Sequence, residues 1–86
     1  MYVYNFLPLP RQVEEYLDNH QIKKVFERKR DLFRTSPRSR SLNIEPLEPK
    51  DSGYNSFRIT MKYRAIFEYK KPNLIQVIKI TNHYKD

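Results

Sequence analysis

Residues able to carry acid–base chemistry on a phosphodiester are concentrated in the second half of the sequence: Glu45, Arg58, Arg64, His83 and Tyr84. Cleaving RNA without a metal needs a base for the 2′-OH proton, an acid for the leaving 5′ oxygen, and cations beside the phosphorus. Glu45 can act as the base, and His83, with an ordinary pKa of about 6.5, as the acid. Arg58 and Arg64 suit the phosphate, and Tyr84 can stack on a base or donate a hydrogen bond.

The same residues also have ordinary structural explanations. Glu45 precedes Pro46, so its charge can belong to an edge strand without any role in chemistry. His83 can be a solvated residue near the end of the sequence. Glu68 is a rival for the role of base, because strand alternation places it in the row of Arg64, where it can equally pair with an arginine.

The second half of the sequence predicts three β-strands, at residues 54–60, 63–69 and 74–81. The first two alternate apolar and polar side chains, the third is nearly all aliphatic, and residues 70–73 predict a four-residue hairpin loop. Short connections between consecutive strands are typical of an antiparallel meander. Two shorter runs, residues 2–7 and 42–45, predict further strands, which nearby prolines end or confine to an edge.

Alternation also predicts which side chains share a face of this sheet. Phe57 and Ile59 on one strand, and Ala65, Phe67 and Tyr69 on the next, form the predicted core rows. In the last strand, Gln76, Ile78 and Ile80 form one row and Val77, Lys79 and Thr81 the other. Arg58, Arg64, Lys79 and, if the strand continues, His83 are then expected to converge on the face that the helices leave open.

The residues between the first and second predicted strands have helical periodicity. Pro10 suits a first helical turn, and Val13 and Leu17 give that helix an apolar side. Residues 18–20 predict a break or tight turn, in which His20 is expected to be a cap or a solvated residue. A second helix is predicted at residues 21–34. The fold class predicted is α+β, a single domain over residues 1–86, with a two-helix N-terminal hairpin packed on a twisted antiparallel β-sheet.

The charge balance favours a polyanionic partner. The 86 residues include 17 Lys+Arg and 10 Asp+Glu, which gives a net charge of +7. One basic stripe is predicted on the outer face of the second helix and just beyond it: Lys23, Lys24, Arg28, Lys29, Arg30, Arg34, Arg38 and Arg40. The absence of cysteine excludes disulfides and thiolate chemistry, and two histidines alone cannot close a metal site, so no metal or cofactor is expected. Residues 1–10 resemble neither a signal peptide nor a membrane span, which predicts a cytoplasmic protein.

Five short motifs in the second half resemble the RelE/ParE toxin superfamily, and most of all its YoeB-like, RelE-like mRNA interferases. The motifs, in order, are Glu45-Pro46-Leu47, Ser52-Gly53-Tyr54, Phe57-Arg58-Ile59-Thr60, Tyr63-Arg64-Ala65-Ile66-Phe67 and His83-Tyr84. The resemblance covers about half of the chain, and the helical half agrees in pattern and length only. It implies a RelE-like fold and a toxin of a type II toxin–antitoxin system that cuts mRNA in the ribosomal A site.

Carried over to this chain, the resemblance implies that Glu45 is the general base, Arg64 holds the scissile phosphate, His83 is the general acid and Tyr84 places the nucleotide. The expected RNA-binding residues are Arg58, Lys79, Lys62, Tyr54, Lys23, Lys24, Arg28 and Arg30. The expected partners are an acidic cognate antitoxin, the ribosome with its mRNA, and operator DNA for the toxin–antitoxin complex only. No membrane partner is expected. Two alternatives stay open: a ParE-like inhibitor of DNA gyrase, and a non-catalytic basic module that binds nucleic acid or the antitoxin.

Overall fold

A computed structural model describes residues 3–82, in which two helices pack against one face of a five-stranded sheet. In chain order the elements are β1 (Asn5–Phe6), α1 (Arg11–Asn19), α2 (Lys23–Thr35), β2 (Glu45–Pro46), a 3₁₀ turn (Lys50–Ser52), β3 (Tyr54–Arg58), β4 (Arg64–Lys71) and β5 (Leu74–Thr81). The strand order is β1-β5-β4-β3-β2, with β1 parallel to β5 and all other pairs antiparallel. The predicted α+β architecture is confirmed, although the parallel pairing of β1 makes the sheet mixed.

Helix α1 begins where the sequence predicts and ends at Asn19, inside the break predicted at residues 18–20. The Pro10 carbonyl accepts hydrogen bonds from the amides of Val13 and Glu14 at 3.0 and 3.1 Å, and Val13 is buried on the sheet side. At the other end, the His20 amide and its ring Nδ1 both donate to the Tyr16 carbonyl, at 3.1 and 2.9 Å. His20 is therefore a C-terminal cap stacked on the Tyr16 ring, and the chain turns at Gln21, whose φ is 59°.

Helix α2 supplies the aromatic centre of the core. Phe26 and Phe33 are completely buried, and the Phe33 ring meets the Phe57 and Phe67 rings edge-on at 5.5 and 5.4 Å between centroids. Edge-to-face pairs of this kind add to the area that each ring buries. Across residues 3–82, neither helix is long and apolar enough to cross a bilayer.

Three predicted strands are shorter in the structure than in the sequence pattern. Among the described residues, the run predicted at 2–7 forms a ladder only at Asn5–Phe6. The run predicted at 42–45 is replaced by the two-residue strand Glu45–Pro46, and the strand predicted at 54–60 ends at Arg58. Asn43 has a positive φ of 45°, which takes the chain out of extended conformation just before β2. The predicted four-residue hairpin loop is also wrong, because the sheet continues through Lys71 and leaves a two-residue turn.

A β-bulge in β5 corrects the predicted rows of that strand. Ile66 lies opposite Lys79, whereas Phe67 lies opposite Val77, so Ile78 is the extra residue. The bulge lets Val77 and Ile80 both face the core, at 0% and 5% exposure, although they fall in opposite rows by strict alternation. Lys79 nevertheless lies on the face of Arg64 as predicted, because the bulge shifts the register before it.

The turn before β3 depends on its glycine. Gly53 has a φ of 86°, and a Cβ added there would meet no atom within 4 Å, so backbone strain is the only penalty for a side chain. We expect Gly53→Ala to lower the free energy of unfolding by about 1 kcal/mol. Gly53→Asn is the matched control and should cost less, because asparagine tolerates the left-handed region. Equal losses for the two variants in urea unfolding would contradict this explanation.

Candidate functional site

Strand pairing brings Glu45 to the face that carries Arg64. Glu45 lies opposite Ser56 in the β2–β3 ladder, and Arg58, two residues along β3, lies opposite Arg64 in the β3–β4 ladder. Residues directly opposed in an antiparallel pair point to the same side of the sheet, as do residues two apart on one strand. The half-buried carboxylate of Glu45 and both arginines therefore share the face that the helices do not cover.

Arg64 is buried at this site, although the sequence predicts it on an open face. Its side chain is only 3% exposed, and it donates from Nε to the Ser56 hydroxyl at 2.9 Å and from Nη2 to the Ser56 carbonyl at 3.3 Å. Nη2 also donates to the carbonyl of Asn43. Arg64 thus ties the segment that leads into β2 to the centre of the sheet, and its direct contact with a phosphate stays a prediction.

A groove lies beside this face, between the α2–β2 connection and β3. It has a volume of about 570 Å³, and its lining includes three arginines, Arg38, Arg40 and Arg58. Its seven lining residues, called here the arginine groove, are Pro37, Arg38, Ser39, Arg40, Asn43, Ile44 and Arg58. Sequence reasoning placed Arg38 and Arg40 in the basic stripe and missed their convergence with Arg58, because alternation and helical period do not describe the path of a connection.

The wall of the arginine groove is fixed to the rest of the fold. The Arg58 amide donates to the Leu42 carbonyl at 2.7 Å, and Leu42 is completely buried. Lys29 reaches across from α2 and donates from Nζ to the Ser41 carbonyl at 2.9 Å. Burial lowers the pKa of the Lys29 ammonium, and the positive charge of Arg58 lowers it further. The cationic groups of Lys29 and Arg58 are therefore close enough to repel each other.

The predicted basic stripe is not continuous in the structure. Lys24 and Arg28 point outward from α2, whereas Lys23 lies 4.0 Å from the carboxylate of Asp18. Arg30 packs its guanidinium over the Phe26 ring at 5.7 Å. Helical geometry separates these side chains from the arginine groove, so the stripe divides into a helix surface and a groove.

The remaining predicted RNA-binding residues lie around the sheet face. Lys79 is exposed opposite Ile66, and Tyr54 at the start of β3 is 41% exposed. Lys62 lies in the β3–β4 connection, with its ammonium 5.4 Å from the centre of the Tyr63 ring. Glu68, the rival base, lies opposite Tyr54 and forms an ion pair with Lys70 at 3.2 Å, toward the far end of β4 from Arg64.

The predicted acid and its neighbour, His83 and Tyr84, lie outside the described residues. The last described pairing of β5 places Thr81 opposite Arg64, so the ladder reaches the candidate site two residues before His83 in the sequence. Within residues 3–82, no three His, Asp or Glu side chains are grouped so that they could hold a metal ion.

Comparison with solved structures identifies the same fold in bacterial toxins. A chain of the E. coli DinJ-YafQ toxin–antitoxin complex superposes with a TM-score of 0.71 at 12% identity, over 93% of this chain and 90% of that one. YafQ from E. coli strain BL21(DE3) gives 0.70 at 10% identity, over 95% and 93%. The YoeB/ParE toxin from Agrobacterium tumefaciens gives 0.65 at 20% identity, over 98% and 100%. No protein-family model and no curated protein sequence matches the chain. The predicted RelE-like fold is confirmed.

Proposed function

We propose that this protein is the toxin of a type II toxin–antitoxin system and that it cuts mRNA in the ribosomal A site. The observation that carries the proposal is the register of β2, β3 and β4, which gives Glu45, Arg58 and Arg64 a common face. A base and cations are two of the three parts that metal-independent RNA cleavage requires, and the third, a general acid, is assigned to His83. The fold shared with YafQ and the YoeB/ParE toxin supports the toxin role.

In the proposed reaction Glu45 removes the proton of a ribose 2′-OH. The resulting oxygen attacks the adjacent phosphorus, the bond to the 5′ oxygen breaks, and that oxygen takes a proton from His83. The products are a 2′,3′-cyclic phosphate and a free 5′-OH, so atoms and protons balance. Arg58 and Arg64 stabilise the negative charge that grows on the phosphorane, and burial of Arg64 strengthens its effect because charges interact more strongly away from water.

The resting partner in this proposal is an acidic antitoxin. The net charge of +7 suits such a partner, and one of the structural neighbours belongs to a toxin–antitoxin complex. The ribosome and its mRNA would compete for the same basic surfaces once the antitoxin is removed. The complex of the two proteins, rather than the free toxin, would bind operator DNA.

The test is a reconstituted translation reaction with purified protein. We expect cleavage of mRNA at A-site codons on programmed ribosomes and far slower cleavage of the same RNA without ribosomes. DNA supercoiling by gyrase, measured in parallel, should be unaffected. Blocked supercoiling with intact mRNA would instead identify a ParE-like inhibitor, and RNA binding without either effect would identify a non-catalytic module.

A further inference from the structure

We propose that the arginine groove is a phosphate subsite, which holds the backbone of the mRNA strand beside the bond that is cut. Arg38, Arg40 and Arg58 would contact the phosphates, and Arg58, which lies opposite Arg64, would connect the groove to the face that carries Glu45. The inference rests on the proposed function, since it assigns single-stranded RNA as the ligand of a region next to the proposed catalytic residues.

The three arginines of the groove carry uncompensated charge. Within the described part of the chain, the guanidinium groups of Arg38, Arg40 and Arg58 have no ion pair and no side-chain hydrogen bond. The ion pairs that the structure does show there lie elsewhere: Arg11–Glu15, Lys23–Asp18, Arg34–Asp31 and Lys70–Glu68. Three cations that line one groove repel each other, and an anion bound between them removes that repulsion.

The connection that carries Arg38 and Arg40 is held in shape by its own hydrogen bonds. Successive tight turns shape the connection, with hydrogen bonds from the Ser39 amide to the Ser36 carbonyl at 3.0 Å and from the Leu42 amide to the Ser39 carbonyl at 3.2 Å. The Asn43 amide closes a further turn on the Arg40 carbonyl at 3.1 Å, and the Asn43 carbonyl is held by Arg64. A ligand therefore meets arginines on a backbone that is already ordered, which lowers the entropic cost of binding.

The lining of the arginine groove is also partly apolar and lies close to the proposed catalytic residues. Pro37 and the partly buried Ile44 are among the lining residues, and apolar atoms there suit the ribose and base faces that accompany each phosphate. Ile44 immediately precedes Glu45, and Arg58 lies opposite Arg64. A strand whose scissile phosphate lies at Arg64 would therefore place a neighbouring phosphate in the groove. The volume of about 570 Å³ suits a short stretch of strand.

The test measures binding of a 2′-O-methyl RNA oligonucleotide, which cannot be cut because its 2′ oxygens carry no proton. Fluorescence anisotropy gives the binding constant at several salt concentrations. The slope of its logarithm against the logarithm of the salt concentration is about −0.7 for each phosphate that the protein neutralises on a single strand. We expect the double variant Arg38→Ala/Arg40→Ala to reduce the magnitude of the slope by about 1.4. The control, Lys70→Ala/Lys71→Ala, removes the same charge at the distant β4–β5 hairpin and should change the slope by much less.

Equal slopes for the groove and control variants would overturn the inference, provided that thermal unfolding shows both to be folded. Loss of binding to a polyglutamate peptide with unchanged RNA binding would overturn it as well, since the groove would then be a protein-docking site. Groove-dependent RNA binding without any cleavage on ribosomes would leave the subsite in place and refute the proposed function. Cleavage of mRNA on ribosomes, together with RNA binding that the groove variants leave unchanged, would support the proposed function and refute the subsite.

Discussion

Glu45→Gln is expected to slow ribosome-dependent mRNA cleavage by about 10²–10⁴-fold, which is the usual contribution of a positioned general base. Glutamine has nearly the same shape and keeps the hydrogen-bonding capacity of the side chain, but it cannot take the 2′-OH proton. Because Glu45 is half-buried on a two-residue edge strand, stability should change by no more than about 0.5 kcal/mol. Single-turnover cleavage on programmed ribosomes measures the rate, and urea unfolding measures the stability.

Glu68→Gln is the matched control for this prediction. Glu68 lies on the same face but pairs with Lys70 toward the other end of β4, so its loss should leave the cleavage rate within a few-fold. A large loss of rate in Glu68→Gln, with normal cleavage by Glu45→Gln, would reverse the roles of the two carboxylates. Full activity in both variants and in His83→Gln would remove acid–base catalysis by these residues altogether.

Arg64→Met is expected to lower the free energy of unfolding by about 3 kcal/mol, because hydrogen bonds to a charged group contribute about 1.5–3 kcal/mol each and do not add fully. Methionine fills much of the volume but leaves the Asn43 carbonyl and Ser56 hydroxyl without the donor that Arg64 provides. In a domain of this size, each kcal/mol lowers the melting temperature by about 4–8 °C. Thermal unfolding followed by circular dichroism measures the shift.

Two comparison variants show whether the hydrogen bonds from Arg64 to Ser56 and Asn43 stabilise the fold. Ser56→Ala removes only one of the acceptors of Arg64 and should cost about 1 kcal/mol. Arg64→Lys keeps the positive charge, but a lysine ammonium cannot reproduce the planar fork that reaches Ser56 and Asn43 together. This variant should therefore lose most of the stabilisation that the Arg64 hydrogen bonds provide, while it keeps a cation at the site. A stability equal to that of the wild type in Arg64→Met would mean that these hydrogen bonds are not stabilising.

Local patterns were sufficient to predict the elements with the strongest periodicity. The apolar spacing of α1 and α2 and the alternation along β4 predict their type, and the Pro10 start and His20 cap follow from short-range chemistry. The β5 rows are different, since the bulge at Ile78 depends on pairing with β4 rather than on anything within β5. Alternation alone therefore assigns Val77 to the wrong face while still placing Lys79 correctly.

The candidate site was predicted in part for similar reasons. Period-2 alternation puts Arg58 and Arg64 on one side of the sheet, and the structure agrees. Burial of Arg64 was not predictable from alternation, because it depends on a hydrogen bond to the carbonyl of Asn43, which is 21 positions away in the sequence. The convergence of Arg38 and Arg40 on Arg58 likewise depends on a non-repetitive connection, whose path is set by anchors such as Leu42 rather than by periodicity.

The parallel pairing of β1 with β5 has a consequence for the time at which the fold can form during synthesis. Asn5 and Phe6 are made well before their neighbours in the sheet, Leu74 and Ile75, which lie 69 positions later in the sequence. Until those residues leave the ribosome, β1 has no partner strand and the helices expose apolar side chains that later meet β5. A nascent chain therefore cannot complete this fold until β5 has left the ribosome, however early its two helices are made.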